Sequence, residues 1–157
     1  MFIANAGATQ SSVLSPQSSA LGNYELILSL VSDTLTRGIR IQVESVYVPE
    51  RSEPRQNYFF FAYRVQISNE GSERAQLMSR EWIITDSDGN TERVNGPGVV
   101  GEQPVLEPGN SFEYTSFCPL RTSFGSMHGS YTMLTPSGEV FEARIDPFNL
   151  AVPGVVN

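Results

Sequence analysis

From residue 39 to residue 146, apolar side chains recur at every second position in a series of short runs. Ile39, Ile41 and Val43 fall on one side of an extended chain, and Arg40, Gln42 and Glu44 on the other. Residues 58–68 repeat the pattern, with Phe59, Phe61, Tyr63, Val65 and Ile67 forming an unbroken apolar face. The opposite face, Tyr58, Phe60, Ala62, Arg64 and Gln66, is mixed. Trp82, Ile83 and Ile84 mark a third strand over about 77–85, and similar runs predict strands near 91–94, 111–117, 129–134 and 139–146. The breaks carry turn chemistry: Asn69-Glu70-Gly71, Ser87-Asp88-Gly89-Asn90, Pro108-Gly109-Asn110 and Pro136-Ser137-Gly138. About seven short strands separated by such turns predict an all-β sandwich. No segment of helical period lies between them, which excludes an α/β fold.

The ends differ. Residues 1–20 are rich in Ser, Ala, Gln and Gly and predict a flexible extension. Residues 21–35 form a short amphipathic segment. Tyr24, Ile27, Leu28, Val31 and Leu35 recur at helical spacing behind a capping Asn23, which predicts a helix. Alternation of Leu26 and Leu28 with Ile27 and Ser29 leaves a strand as the alternative. The sandwich domain is then 36–157. Asp146-Pro147-Phe148 opens a tail whose Phe148, Leu150 and Val152 pack back onto the sandwich.

Composition narrows the function. The 157 residues carry a formal net charge of −7, which disfavours general nucleic-acid or anionic-membrane binding. The basic residues are all arginine, so lysine nucleophiles, Schiff bases and a P-loop lysine are excluded. Cys118 is the sole cysteine and allows no internal disulfide, which fits a reducing compartment. A cytoplasmic site is expected, with an organelle left open. No secretory signal is visible, and no run reaches the ~20 apolar residues of a membrane span.

Several constellations bear on chemistry. Gly96-Pro97-Gly98-Val99-Val100-Gly101 matches G-x-G-x-x-G, but a dinucleotide loop must open a helix. Pro104 and Pro108 follow closely and forbid one. A tight inter-strand loop is the plain reading. A nest of backbone N–H groups holding an anion, with Arg80 or Arg93 alongside, is the functional one. Asp86-Ser87-Asp88-Gly89-Asn90 begins like a calcium loop, yet Thr91 and Pro97 stand where Gly and Glu are needed, so a hairpin turn is expected. With one histidine, His128, and one thiol, no structural zinc site can be built within one chain. No nucleophile elbow accompanies His128. Arg80 and Trp82 lie two apart on one strand face, either as a local cation–π pair with Trp82 in the core or with Arg80 at the rim of a ligand pocket. Tyr58 and Phe60 are either covered by the 21–35 segment or presented to a partner.

Taken in order, these motifs resemble the ApaG family. The residues carrying the likeness are Thr36-Arg37-Gly38-Ile39-Arg40-Ile41, Tyr58-Phe59-Phe60-Phe61-Ala62-Tyr63-Arg64, Arg80-Glu81-Trp82-Ile83-Ile84-Thr85, the 96–104 glycine loop, Phe112-Glu113-Tyr114-Thr115-Ser116 and the ending Pro147-Phe148-Asn149-Leu150-Ala151-Val152-Pro153. Glu81 departs from the pattern, which leads one to expect an aromatic residue or His there. The resemblance implies a fibronectin type III-like sandwich and an association with cobalt and magnesium resistance. It also implies a link to dinucleotide polyphosphates, since bacterial members are encoded beside a diadenosine tetraphosphate hydrolase. Related domains occur in F-box proteins and in a protein that binds DNA polymerase delta, which implies a protein-interaction module. The glycine loop has been proposed as a nucleotide or pyrophosphate site in the family, and Gly96, Gly98 and Gly101 match it.

The expected function is a non-enzymatic binding or regulatory module in divalent-cation or dinucleotide polyphosphate homeostasis. A protein partner would be met through Tyr58, Phe60 and Trp82. The alternative is a pyrophosphate or nucleotide binder that uses Gly96, Gly98, Gly101, Arg80 and Arg93. No metal or cofactor is required by either reading, and a homodimer is compatible with both.

Overall fold

The computed structural model describes residues 30–154 and the backbone of residues 5–9. Among the described residues, ten strands run in chain order: β1 Asn5–Thr9, β2 Val31–Thr36, β3 Ile39–Tyr47, β4 Phe59–Asn69, β5 Ala75–Asp86, β6 Thr91–Pro97, β7 Val105–Leu106, β8 Ser111–Leu120, β9 Phe124–Leu134 and β10 Val140–Ala151. Two single-turn 3-10 segments, Pro49–Arg51 and Pro54–Gln56, lie between β3 and β4. No α-helix occurs among the described residues. One antiparallel sheet has the order β1-β8-β4-β3-β2 and the other β10-β9-β5-β6, with β7 pairing on β5. This is the all-β sandwich that the alternation predicts, and it fits the fibronectin type III-like form that the family resemblance implies.

The alternation is realised residue by residue. Ile39, Ile41, Val43, Phe61, Tyr63, Val65 and Ile67 are all buried and face the second sheet. That sheet answers with Leu77, Trp82, Ile84, Met127, Tyr131, Met133, Ile145, Phe148 and Leu150. The Trp82 ring stands edge-on to three others, with centroids 5.3 Å from Tyr63, 6.3 Å from Tyr131 and 6.0 Å from Phe148. It therefore locks rings from both sheets together.

Three stretches depart from the sequence reading. Of the 21–35 segment, residues 21–29 lie outside the described residues, and the rest forms strand β2 rather than a helix. The helical spacing of Val31 and Leu35 loses to tertiary pairing. β2 registers against β3 from Val31↔Glu44 to Thr36↔Ile39. The Thr34 and Thr36 hydroxyls accept the backbone N–H groups of Asp146 and Arg144, at 3.0 and 3.3 Å, which ties β2 to β10 of the other sheet. Of residues 1–20, only the β1 backbone is described.

β9 begins at Phe124 rather than near 129. Its glycines hide the strand from propensity, yet pairing demands them: a Cβ on Gly129 would lie 2.0 Å from the Glu81 carbonyl oxygen. The presumed tail after Asp146 is instead the second half of β10. The register shifts between Ile145 and Phe148, so Pro147, which has no N–H to donate, sits in the irregularity. Phe148 and Leu150 then return to the core as expected.

Candidate functional site

The glycine loop is a closed turn. Gly98 donates its N–H to the Met78 carbonyl at 2.9 Å, and Val99 and Glu102 exchange N–H···O bonds of 2.8 Å each. Between them, Val100 and Gly101 take φ of 42° and 81°, the two left-handed positions of a tight hairpin turn. Gly98 has φ 61°, and a Cβ there would fall 2.2 Å from the Glu102 carbonyl oxygen. Val99 is fully buried and plugs the loop into the core. The Gln103 side-chain amide and the Pro104 carbonyl fasten the next residues to Met78 and Leu77 of β5. The chain then runs into β7, and no helix follows.

Arg80 serves this loop from beneath. Its Nη1 donates to the carbonyls of Pro97 and Gly98 at 3.0 and 2.9 Å. Gly96 lies opposite Arg80 in the β5–β6 register, and its missing side chain leaves room for the guanidinium. The donors that a phosphate would need at Gly98, Val99, Glu102 and Arg80 Nη1 are thus already bonded within the chain.

The sequence grouping of Arg80 with Arg93 does not survive. Arg93 pairs with Ile83 in the register, three positions from the Gly96–Arg80 pair and therefore on the opposite face. There its guanidinium forms an ion pair with Glu81. The unusual acid at 81 thus has a local partner on the outer face. Trp82 is likewise misplaced as a contact residue: it is 0% exposed, and its position opposite Val94 on the inner face gives it to the core.

Tyr58 and Phe60 belong to a different place, one end of the outer face of the first sheet. Residues 53–58 form a small closed loop, in which Glu53 and Tyr58 exchange backbone hydrogen bonds of 2.8 and 3.1 Å. The Ser52 hydroxyl accepts the Phe60 N–H at 2.9 Å and donates to the Val48 carbonyl at 2.9 Å, fixing the preceding 3-10 turn over the sheet. That turn carries Arg51 across two rings, with its guanidinium carbon 4.2 Å from the Phe60 centroid and 5.3 Å from that of Phe117. Phe60 stacks on Phe117 at 5.4 Å and on Tyr58 at 6.2 Å. Tyr58 remains 40% exposed, and Arg51 is exposed.

A groove of about 330 Å³ opens on the same face beside this stack, lined by Glu44, Val46, Ala62, Arg64 and Thr115. Val46 is 58% exposed. Arg51, Phe117 and Val46 were not singled out by the sequence. Phe117 sits opposite Ala62 only through the β4–β8 register, which no local pattern reveals.

Cys118 and three tyrosine hydroxyls lie in the framework. Burial pushes the Cys118 thiol up to about 12, and the residue is 2% exposed. Native protein is expected to leave Cys118 unmodified by a thiol reagent such as Ellman's, with one equivalent reacting after denaturation. Rapid labelling without denaturant would show the thiol to be accessible. Tyr114 and Tyr131 share a hydrogen bond between their hydroxyls in the core. Burial raises the phenols of Tyr63, Tyr114 and Tyr131, against a weaker opposing pull from the Arg80 charge. His128 stands opposite Ile83 on β9. Among the described residues, no three His, Cys, Asp or Glu side chains converge to hold a metal ion, and no helix is long and apolar enough to cross a membrane.

The fold and the two surfaces define an antiparallel sandwich module, with a sealed glycine turn on one sheet and an aromatic patch outside the other. The model of the ApaG domain matches residues 49–135. The chain belongs to the ApaG family. Protein ApaG of Anaeromyxobacter sp. (strain K) is 54% identical over 127 residues, which is 81% of this chain and 100% of the relative. Protein ApaG of Methylobacterium radiotolerans is 57% identical over 120 residues, covering 76% of this chain and 92% of the relative. The crystal structure of a Bordetella pertussis protein given the name ApaA superposes with a TM-score of 0.74 at 47% identity, over 78% of this chain and 99% of that one.

Proposed function

We propose that the chain is a non-catalytic binding module that meets a protein partner through the Tyr58–Phe60–Phe117 stack and its Arg51 cap. The observation carrying this reading is the exposure of Tyr58 and Arg51 on a base of packed rings beside an apolar groove. Tyr and Arg are the residue types that dominate binding energy at interfaces, and a rigid aromatic base lets them bind without being newly ordered. The roles in divalent-cation or dinucleotide polyphosphate homeostasis that the family resemblance implies would be exercised through that partner. The glycine turn, with Arg80 committed to its carbonyls, serves as framework in this reading.

Quantitative affinity capture from a native lysate tests it, comparing the full chain with Tyr58→Ala and Arg51→Glu variants. Recovery of the partner is expected to fall by at least about tenfold in each, the scale of a modest hot spot. Capture profiles unchanged by both substitutions would refute the patch. Calorimetry with pyrophosphate and diadenosine tetraphosphate is expected to show no binding heat at millimolar ligand. Saturable heat that disappears in a folded Gly98→Ala variant would move the function to the glycine loop.

A further inference from the structure

β8 is paired with β4 along its whole length, from Ser111↔Ser68 to Leu120↔Phe59. Its other edge faces outward, and β1 occupies only part of it. The register pairs Asn5 with Ser116, Ala8 with Tyr114 and Thr9 with Glu113, and it is irregular between Asn5 and Ala8. Among the described residues, nothing pairs with Phe117–Leu120 on that side.

The occupant is a poor strand. Its sequence is Asn-Ala-Gly-Ala-Thr, and Asn, Gly and Ala are all depleted in strands. Five residues with a break in register give few ladder bonds. An edge strand left partly open is a template for pairing by another chain, and main-chain pairing of this kind is an established mode of peptide capture. β8 lies inside the matched ApaG domain and β1 outside it. The whole of the Anaeromyxobacter relative is accounted for within 127 residues, so this chain carries sequence beyond it.

We propose that the outward edge of β8 is a strand-acceptor site, held at rest by the chain's own Asn5–Thr9 and taken on binding by an extended, uncharged segment of a partner protein. This rests on the binding-module reading and specifies its mode. β1 contains no charged residue, and an incoming strand without charge matches the strand it replaces. A longer strand that continues past Ser116 would run alongside Phe117, whose ring stacks on Phe60 under Arg51. The preferred segment therefore carries an aromatic or aliphatic side chain at the position reaching those rings, with main-chain bonds giving affinity and that contact giving selectivity.

The test uses the full chain with Ala8→Pro, which removes a backbone donor and disfavours β1 pairing, with Ala6→Pro as a second variant. The probe is a fluorescently labelled synthetic peptide of residues 1–12. Hydrogen exchange across residues 111–120 is expected to accelerate at least about tenfold in the variants, and added peptide to restore protection. Anisotropy is expected to show the peptide binding the variants at least about tenfold more tightly than the unmodified chain, whose edge already holds β1. Exchange across β8 unmoved by both substitutions, or peptide binding that is absent or equal in all three proteins, would overturn the acceptor site. Capture that still depends on Tyr58 and Arg51 would leave the binding module standing in that event. Unchanged Trp82 fluorescence verifies that the sandwich itself is intact.

Discussion

Trp82→Ala is expected to destabilise the protein by about 3–5 kcal/mol, the range for deleting a large buried aromatic side chain. The ring is 0% exposed and contacts Tyr63 of one sheet together with Tyr131 and Phe148 of the other. Its removal leaves a cavity walled by strands whose pairing holds them in place, so the site collapses poorly. Urea unfolding followed by far-ultraviolet circular dichroism measures the loss, since the substitution removes the sole tryptophan. Ile83→Ala is the control. Ile83 is the next residue along β5 and points to the outer face, so its truncation is expected to cost less than about 1.5 kcal/mol. A larger loss at 83 than at 82 would mean that the inner and outer faces of β5 have been exchanged.

Gly98→Ala is expected to cost about 3 kcal/mol. Two effects combine. A non-glycine residue held at φ 61° pays left-handed strain of about 1–2 kcal/mol. The new Cβ would also stand 2.2 Å from the Glu102 carbonyl oxygen, which must move and so disturb the Val99–Glu102 bonds. Gly101→Ala separates the two, because its φ is 81° but nothing lies within 4 Å of the added carbon. It is expected to cost only the strain, about 1–2 kcal/mol. Thermal or urea denaturation of both variants gives the order. A Gly101 substitution as damaging as that at Gly98 would show that the turn closes differently.

The fold was legible where packing and local pattern agree. Phe61, Tyr63, Val65 and Ile67 alternate in sequence and are buried in the structure, because a strand with one face on a core must alternate. It was illegible where a tertiary contact overrides the local signal. Val31 and Leu35 keep a helical spacing by coincidence, while Thr34 and Thr36 are required as acceptors for β10. Gly125 and Gly129 lower strand propensity, and their value lies in letting β5 pass close by, a fact held in the register alone. The candidate site shows the same division. Tyr58 and Phe60 were identifiable as apolar residues on the wrong face of a core strand. Arg51 and Phe117 were not, because one arrives on a 3-10 turn and the other from a strand more than fifty residues away. Trp82 and Arg93 misled for a simpler reason: residue type suggested surface chemistry, and strand parity assigned one to the interior and the other to an ion pair with Glu81.

The join between the sheets sets the size of the smallest autonomous fragment. The matched family pattern stops at residue 135, before β10 begins, and starts at residue 49, after β3 has ended. Excising that stretch would strip β9 of its neighbour along one edge, take Ile145, Phe148 and Leu150 from the core that holds Trp82, and bare the flank of β4 that β3 shields. The unit by which the domain is recognised is therefore narrower than the unit that can fold, and an expression boundary belongs ahead of Val31 and beyond Ala151.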